Sequence, residues 1–188
     1  MDEIYQLKIT LRGSKPSIWR RVLEERTATF LDLHLIIQSA MGWDNSHLYE
    51  FNVFGTRIAD LDPDFDDDFG MKKLDASSIT IGDTFEEPGK KFTYEYDFGD
   101  GWIHQIAVEK ILPRDSKLKY PICIAGKMNC PPEDCGGIWG FYNLIEIMKD
   151  KKHPEYQHYL EWLGGKYDPE YFDKEEINLE LESLRSRL

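Results

Sequence analysis

Residues 91–108 read Lys91-Phe92-Thr93-Tyr94-Glu95-Tyr96-Asp97-Phe98-Gly99-Asp100-Gly101-Trp102-Ile103-His104-Gln105-Ile106-Ala107-Val108. Phe92, Tyr94, Tyr96 and Phe98 share one side of an extended chain; Trp102, His104, Ile106 and Val108 share one side of the next, with Gly99-Asp100-Gly101 between. Two such strands bury their apolar sides together as an antiparallel hairpin, and burial selects the register. A two-residue loop sends the two apolar sides to opposite faces of the sheet. A three-residue loop places Phe98 opposite Trp102, Tyr96 opposite His104, Tyr94 opposite Ile106 and Phe92 opposite Val108, and brings Lys91 near Glu109. The sequence therefore predicts the three-residue loop, with Gly101 in the left-handed position that closes it.

Further strands are expected on the N-terminal side. Tyr5, Leu7, Ile9 and Leu11 alternate with Gln6, Lys8 and Thr10; Arg12-Gly13-Ser14-Lys15-Pro16 supplies a turn; Ile18 to Leu23 forms a second strand. From Thr29 the period becomes helical, with Phe30, Leu33, Ile37, Ala40 and Met41 on one face and Gly42 as C-cap. Tyr49, Phe51 and Val53 alternate in a third strand that ends at Gly55. Residues 60–70 carry six aspartates and read as a solvated loop, and residues 71–90 are poorly periodic. After residue 112 the strand signals stop, and prolines and glycines describe an irregular connection over 113–137. Helical stripes follow: Phe141, Leu144, Ile145 and Met148; Tyr156, Tyr159, Leu160 and Leu163; then Ile177, Leu181, Leu184 and Leu188 behind an Asp173 N-cap with Glu176 three residues on. The expected fold is α+β: a roll with a largely antiparallel sheet of about five strands, one helix after the second strand and a helical C-terminal part. Residues 1–188 read as one domain, strand-rich over 1–112, irregular over 113–137 and helical over 138–188.

Composition fits an ordinary globular chain, 41% hydrophobic and 31% charged over 188 residues. A formal charge of −12 repels phosphate backbones and anionic membranes. Residues 8–26 run against it, with Lys8, Arg12, Lys15, Arg20, Arg21 and Arg26 facing only Glu24 and Glu25. That basic hairpin is the one nucleic-acid candidate, although the net charge disfavours such a partner. Met1-Asp2-Glu3-Ile4 lacks the basic and apolar regions of a secretory signal, and no run approaches the roughly 18 apolar residues of a membrane span. A cytoplasmic location, with no membrane partner, is expected, and an odd set of three cysteines suits a reducing compartment.

Two constellations invite chemistry. Cys123, Cys130 and Cys135 fall in thirteen positions, and with His104 as a fourth ligand they form a candidate zinc set, although only the second interval has standard zinc spacing. Cys135, before Gly136-Gly137 and a helix start, is alternatively a thiol activated by the helix N-terminus, and the same glycines could offer N–H groups to an anion. The second constellation is Asp97, Asp100, Trp102 and His104, a binding group with Glu133 and Asp134, and with His47 as a further companion of His104. Asp97-Phe98-Gly99 spells a kinase metal triplet, but no other kinase motif accompanies it. Asp60, Asp62 and Asp64 begin like an EF-hand loop, yet Phe65 and Met71 stand where glycine and glutamate belong.

Taken together, Pro16-Ser17-Ile18-Trp19-Arg20-Arg21, Phe30-Leu31-Asp32-Leu33-His34 running to Gly42-Trp43, and His47-Leu48-Tyr49-Glu50-Phe51 form a recognisable set. Tyr96 to Trp102 with His104, and Cys130-Pro131-Pro132-Glu133-Asp134-Cys135-Gly136-Gly137 leading into the Gly140 helix, complete it. The chain resembles the plasmid pRiA4b ORF-3-like family, prokaryotic proteins found on plasmids, in mobile elements and on chromosomes. The resemblance implies a compact α+β roll and carries no established activity, substrate or catalytic residue. With no phosphate loop, nucleophile–base pair or dinucleotide fingerprint present, the leading expectation is a binding or interaction module without assignable catalysis, for a protein or small-molecule ligand. The alternatives are a zinc- or thiol-dependent enzyme using the Cys123–Cys135 loop and His104, with Glu133 or Asp134 as acid–base groups, and nucleic-acid binding through the basic hairpin. An isolated C-terminal apolar stripe usually packs on its own core, so a monomer or weak dimer is expected.

Overall fold

The computed structural model describes residues 2–61 and 73–185. Within them the chain forms β1 (Glu3–Leu11), β2 (Trp19–Glu25), α1 (Phe30–Met41), β3 (Tyr49–Val53), β4 (Thr56–Ala59), β5 (Lys73–Asp75), α2 (Ile81–Thr84), β6 (Lys91–Tyr96), β7 (Trp102–Pro113), β8 (Ile122–Lys127), α3 (Gly137–Lys149), α4 (Tyr156–Trp162) and α5 (Lys174–Arg185). The strands make one sheet in the order β5-β4-β3-β6-β7-β1-β2-β8, antiparallel throughout except for the β4–β5 pair. The α+β class holds, but the described sheet has eight strands where about five were expected.

The alternation read in β1, β6 and β7 sorts side chains between two faces. Tyr5, Leu7, Ile9, Phe92, Tyr94, Tyr96, Trp102, His104, Ile106 and Val108 are buried. Lys8, Thr10, Lys91, Gln105 and Glu109 line a shallow hollow on the opposite, polar face. On the buried side, Phe30 of α1 meets Phe51 and Phe92 edge-on at 5.1 and 5.9 Å between ring centroids. Such edge contacts place the positive rim of one ring on the negative face of another. Thr29 caps α1 reciprocally with Asp32, and Gly42 ends it at φ 77°. Asp173 Oδ1 accepts from the Glu175 and Glu176 N–H groups at the start of α5. Leu181 and Leu184 are buried, with α5 lying against α1 and β8, so the C-terminal stripe packs on its own core. Leu188, like Asp62 to Asp68, Phe65 and Met71 of the calcium-like pattern, lies outside the described residues.

Three expectations are corrected. The hairpin register is Tyr96↔Trp102, Tyr94↔His104 and Phe92↔Ile106, so the loop has five residues, 97–101. The shift is by two positions and preserves which face is buried. Lys91 pairs with Ala107, while Glu109 is held by Arg21 and Gln6. The connection 113–137 is not irregular throughout, because β7 runs to Pro113 and β8 adds to β2 across a register shift at Arg21/Val22. Finally, the basic hairpin does not present one patch. Arg20 points inward and is 3% exposed, Arg21 pairs with Glu109 at 2.6 Å, and Arg26 pairs with Glu3 at 2.6 Å. Neighbours on a strand face opposite ways, so Arg20 enters the core while Arg21 stays on the polar face with Lys8. Among the described residues, no helix is long and apolar enough to cross a membrane.

Glu24 of β2 is 4% exposed, and burial pushes its carboxyl up to about 8. The Glu25 N–H, at 2.6 Å from Oε1, and the charge of Arg185 oppose the shift, while Glu25 and Asp32 add to it. A folded-state value above the unfolded one means a contribution that is complete below about 4.5 and lost as pH rises through about 8. Glu24→Gln is therefore expected to flatten the fall in urea midpoint over that window and to gain up to about 5 kcal/mol on wild type above it. Parallel pH profiles for the two proteins would contradict this.

Candidate functional site

Three segments distant in sequence meet at one end of the hairpin: the turn 43–48 after α1, the loop 97–101 between β6 and β7, and the loop 128–136 before α3. The first is fixed from inside. His34 of α1 is buried, and burial lowers its pKa to about 4, which leaves a neutral ring. Its partners assign the tautomer: Nε2–H donates to Asn45 Oδ1 at 2.6 Å, and Nδ1 accepts from Tyr94 OH at 2.8 Å, which in turn accepts from Gln38 Nε2. The Asn45 N–H donates to Gln38 Oε1, with Asn45 itself at φ 56°. Trp43 stacks on Tyr96 at 5.2 Å and donates from Nε1 to Pro131 O, tying the turn to the third segment.

The loop 97–101 is an Asx turn. Asp97, at φ 54°, accepts through Oδ1 from the Gly99 N–H at 2.9 Å, and its carbonyl accepts from Gly101, which closes the loop at φ 66°. Tyr96, just before it, is the latch. Its hydroxyl accepts from the Ser46 and His47 N–H groups and donates a short hydrogen bond to Glu133 Oε1. Glu133 Oε2 accepts from the Asp44 N–H at 3.2 Å, so this one carboxylate joins all three segments. Asp100 Oδ2 accepts from the Gly136 N–H at 3.1 Å. A side chain at Gly137 would stand 2.3 Å from the Asp100 carbonyl oxygen, so close packing accounts for this glycine.

The outcome is a convergence of His47, Asp97 and Asp134. His47 Nε2 lies 3.1 Å from Asp134 Oδ1 and 3.8 Å from Asp97 Oδ2, and one donor atom from each residue lies within 4.8 Å of the others. Among the described residues this is the one such group of three His, Cys, Asp or Glu side chains. Of the predicted site residues, Asp97, Asp100, Glu133 and Asp134 are thus brought together. Trp102 and His104 are not at the surface with them but buried beneath. His104 Nδ1 donates to Trp102 O at 3.0 Å, and burial holds the ring neutral with a pKa of about 4. His47, expected as a companion of His104, instead joins the aspartates. In the sequence Tyr96 marks only a core aromatic, because nothing local signals a hydroxyl that bridges to residue 133.

The proposed set of Cys123, Cys130, Cys135 and His104 does not converge. Cys123 bonds to Ala125 O within β8, and Cys130 sits between the Arg20 guanidinium, at 3.0 Å, and Met41. Burial pushes the Cys130 thiol up to about 11 and that of Cys135 up to about 12, with Asp100 adding to the latter. Both are protonated at neutral pH, the reverse of an activated nucleophile.

A family model described as plasmid pRiA4b ORF-3-like protein matches residues 3–176. An uncharacterised protein y4hQ of Sinorhizobium fredii (strain NBRC 101917 / NGR234) is 35% identical over 190 residues, covering 98% of this chain and 93% of the relative. The crystal structure of a protein of unknown function, MM3350 from Methanosarcina mazei Go1, superposes with a TM-score of 0.82 at 38% identity, covering 93% of this chain and 97% of that one.

Gly137→Ala is expected to lower stability by about 2 kcal/mol or more, read from denaturant midpoints, because the added methyl meets backbone rather than a yielding side chain. Unchanged stability would sink the packing account. Cys130 is expected to react with a disulfide reagent only at the rate of global unfolding, whereas fast labelling in native buffer would contradict the burial described.

Proposed function

This chain belongs to the plasmid pRiA4b ORF-3-like family, and from that premise and its loop cluster we propose that it is a cytoplasmic binding module rather than a thiol enzyme. One observation carries the reading: three segments are latched together by hydrogen bonds at the Tyr96 hydroxyl and to the Glu133 and Asp100 carboxylates, yet residues beside the latch face solvent. Leu48 and Phe98, next in sequence to His47 and Asp97, are exposed, and so is Trp139 in the first turn of α3, three residues after Gly136, to 86%. Exposed aromatic side chains on rigidly held loops are the composition of a contact surface, where they bury area at small entropic cost. Asp97, Asp100 and Asp134 give that surface a negative charge in keeping with the −12 of the whole chain. The partner it suits is a protein segment carrying basic residues and an apolar anchor. Nucleic acid is the weaker fit, because Arg20 and Arg21 are engaged on opposite faces. A monomer or weak dimer accords with α5 directing Leu181 and Leu184 into its own core.

A random peptide display selection against the purified chain is expected to enrich basic, aromatic-containing peptides. Combined Phe98→Ala and Trp139→Ala should weaken the selected peptides about tenfold or more while leaving the melting temperature nearly unchanged. Enrichment of nothing, or equal affinity in the variant, would remove this reading.

A further inference from the structure

We propose that His47 Nε2, Asp97 Oδ2 and Asp134 Oδ1 are the protein ligands of a divalent transition-metal site. This does not rest on the binding-module reading, since it concerns the ion alone. Two donors each about 2.1 Å from one ion stand about 3.0 Å apart at a right angle and about 3.4 Å at the tetrahedral angle. The pair at 3.1 Å lies inside that range, the pair at 3.8 Å a few tenths of an ångström beyond it, and the third separation is within 4.8 Å, so side-chain rotations bring all three onto one centre.

A second observation concerns His47 itself. Its Nε2 is shielded from solvent and has no hydrogen-bond partner, because the nearby Asp134 oxygen lies off the axis along which an N–H would donate. A buried polar atom left so is costly, and a cation that takes the ring lone pair and both carboxylates together removes that cost. Among the described residues, no Lys or Arg forms an ion pair with Asp97 or Asp134, so their charges are without a basic side chain to offset them.

The ligands are also oriented before any ion arrives. Asp97 Oδ1 is occupied by the Gly99 N–H, which turns Oδ2 towards His47. The His47 N–H is held by Tyr96 OH, and Asp134 follows the latched Glu133 with its own backbone at φ 57°. Such outer contacts fix ligand direction in metal sites. Asp134 is 70% exposed at its side chain, so the remaining coordination positions face water. One imidazole and two carboxylates select Zn²⁺ or Mn²⁺ over Ca²⁺ and Mg²⁺, which take oxygen ligands.

The test uses full-length, tag-free protein stripped with a chelator and titrated with Zn²⁺ and with Mn²⁺ in a calorimeter. One ion per chain is expected, with His47→Ala and Asp134→Asn each weakening it about tenfold or more and Cys123→Ser, on β8 away from the three loops, leaving it unchanged. Asp134 is exposed, so that variant folds irrespective of the site, and its melting temperature checks this. Nitrogen coupling in the Mn²⁺ resonance spectrum, lost in His47→Ala, would confirm the imidazole ligand. Absence of saturable binding, full affinity in both ligand variants, or loss in Cys123→Ser would overturn the assignment.

Discussion

The buried guanidinium of Arg20 is the constraint around which the helical side of the molecule is arranged. A cation removed from water costs several kcal/mol unless every donor is satisfied. Arg20 meets that demand with carbonyls and a thiol: Nε donates to Ala40 O near the C-terminal end of α1, Nη1 to Trp19 O and Lys127 O, and Nη2 to Cys130 Sγ. The α1 terminus contributes its negative dipole end to the same charge. Phe172 covers the guanidinium at 5.0 Å, an approach open only because residue 126 lacks a side chain that would collide with the ring. One residue of β2 thereby joins β8, α1, the segment before α5 and the start of the loop that carries Glu133 and Asp134.

From that anchorage a second network continues. Trp43 leaves α1 beside Met41, stacks on Tyr96 and bonds to Pro131, so the loop placed by Arg20 through Cys130 is held again one residue later. His34, Tyr94, Gln38 and Asn45 form a neutral hydrogen-bonded chain beneath it, in which both ring nitrogens of His34 have a partner. Polar groups satisfied in this way inside an aromatic core rigidify it and select a single arrangement. Beside these paired groups Trp102 Nε1 is without a partner, and so are the Nε2 atoms of His47 and His104. The two histidines differ in position, His104 sealed below the cluster and His47 at its rim.

Architecture explains why a site forms at this end. The hairpin of β6 and β7 occupies the middle of the sheet, and its five-residue loop projects beyond the strand ends, next to the entry into β3. Asp97 and Asp134 both adopt left-handed backbone, a conformation aspartate tolerates better than most residues because its carboxylate bonds locally. Chain direction at both loops is therefore set by residues that also supply the acidic side chains.

Periodicity alone fixed a good deal. The buried faces of β1, β6 and β7, the span of α1 between Thr29 and Gly42, and the N-cap at Asp173 follow from which side chains must leave water and which groups end a helix. The sequence also marked Asp97, Asp100, Glu133 and Asp134, through their density around glycine and proline. β4 and β5 are too short to show alternation, and the edge strand β8 buries only Cys123, so none of the three announces itself and their pairing depends on a neighbour already in place. The hairpin register escaped because a shift of two keeps the same strand faces buried and costs only the exposure of Phe98, which hydrophobicity alone would have placed inside. Whether three thiols or one histidine and two aspartates would meet was decided only by the tertiary fold, since spacing along the chain says nothing of where β8, the turn after α1 and the loop before α3 are brought together.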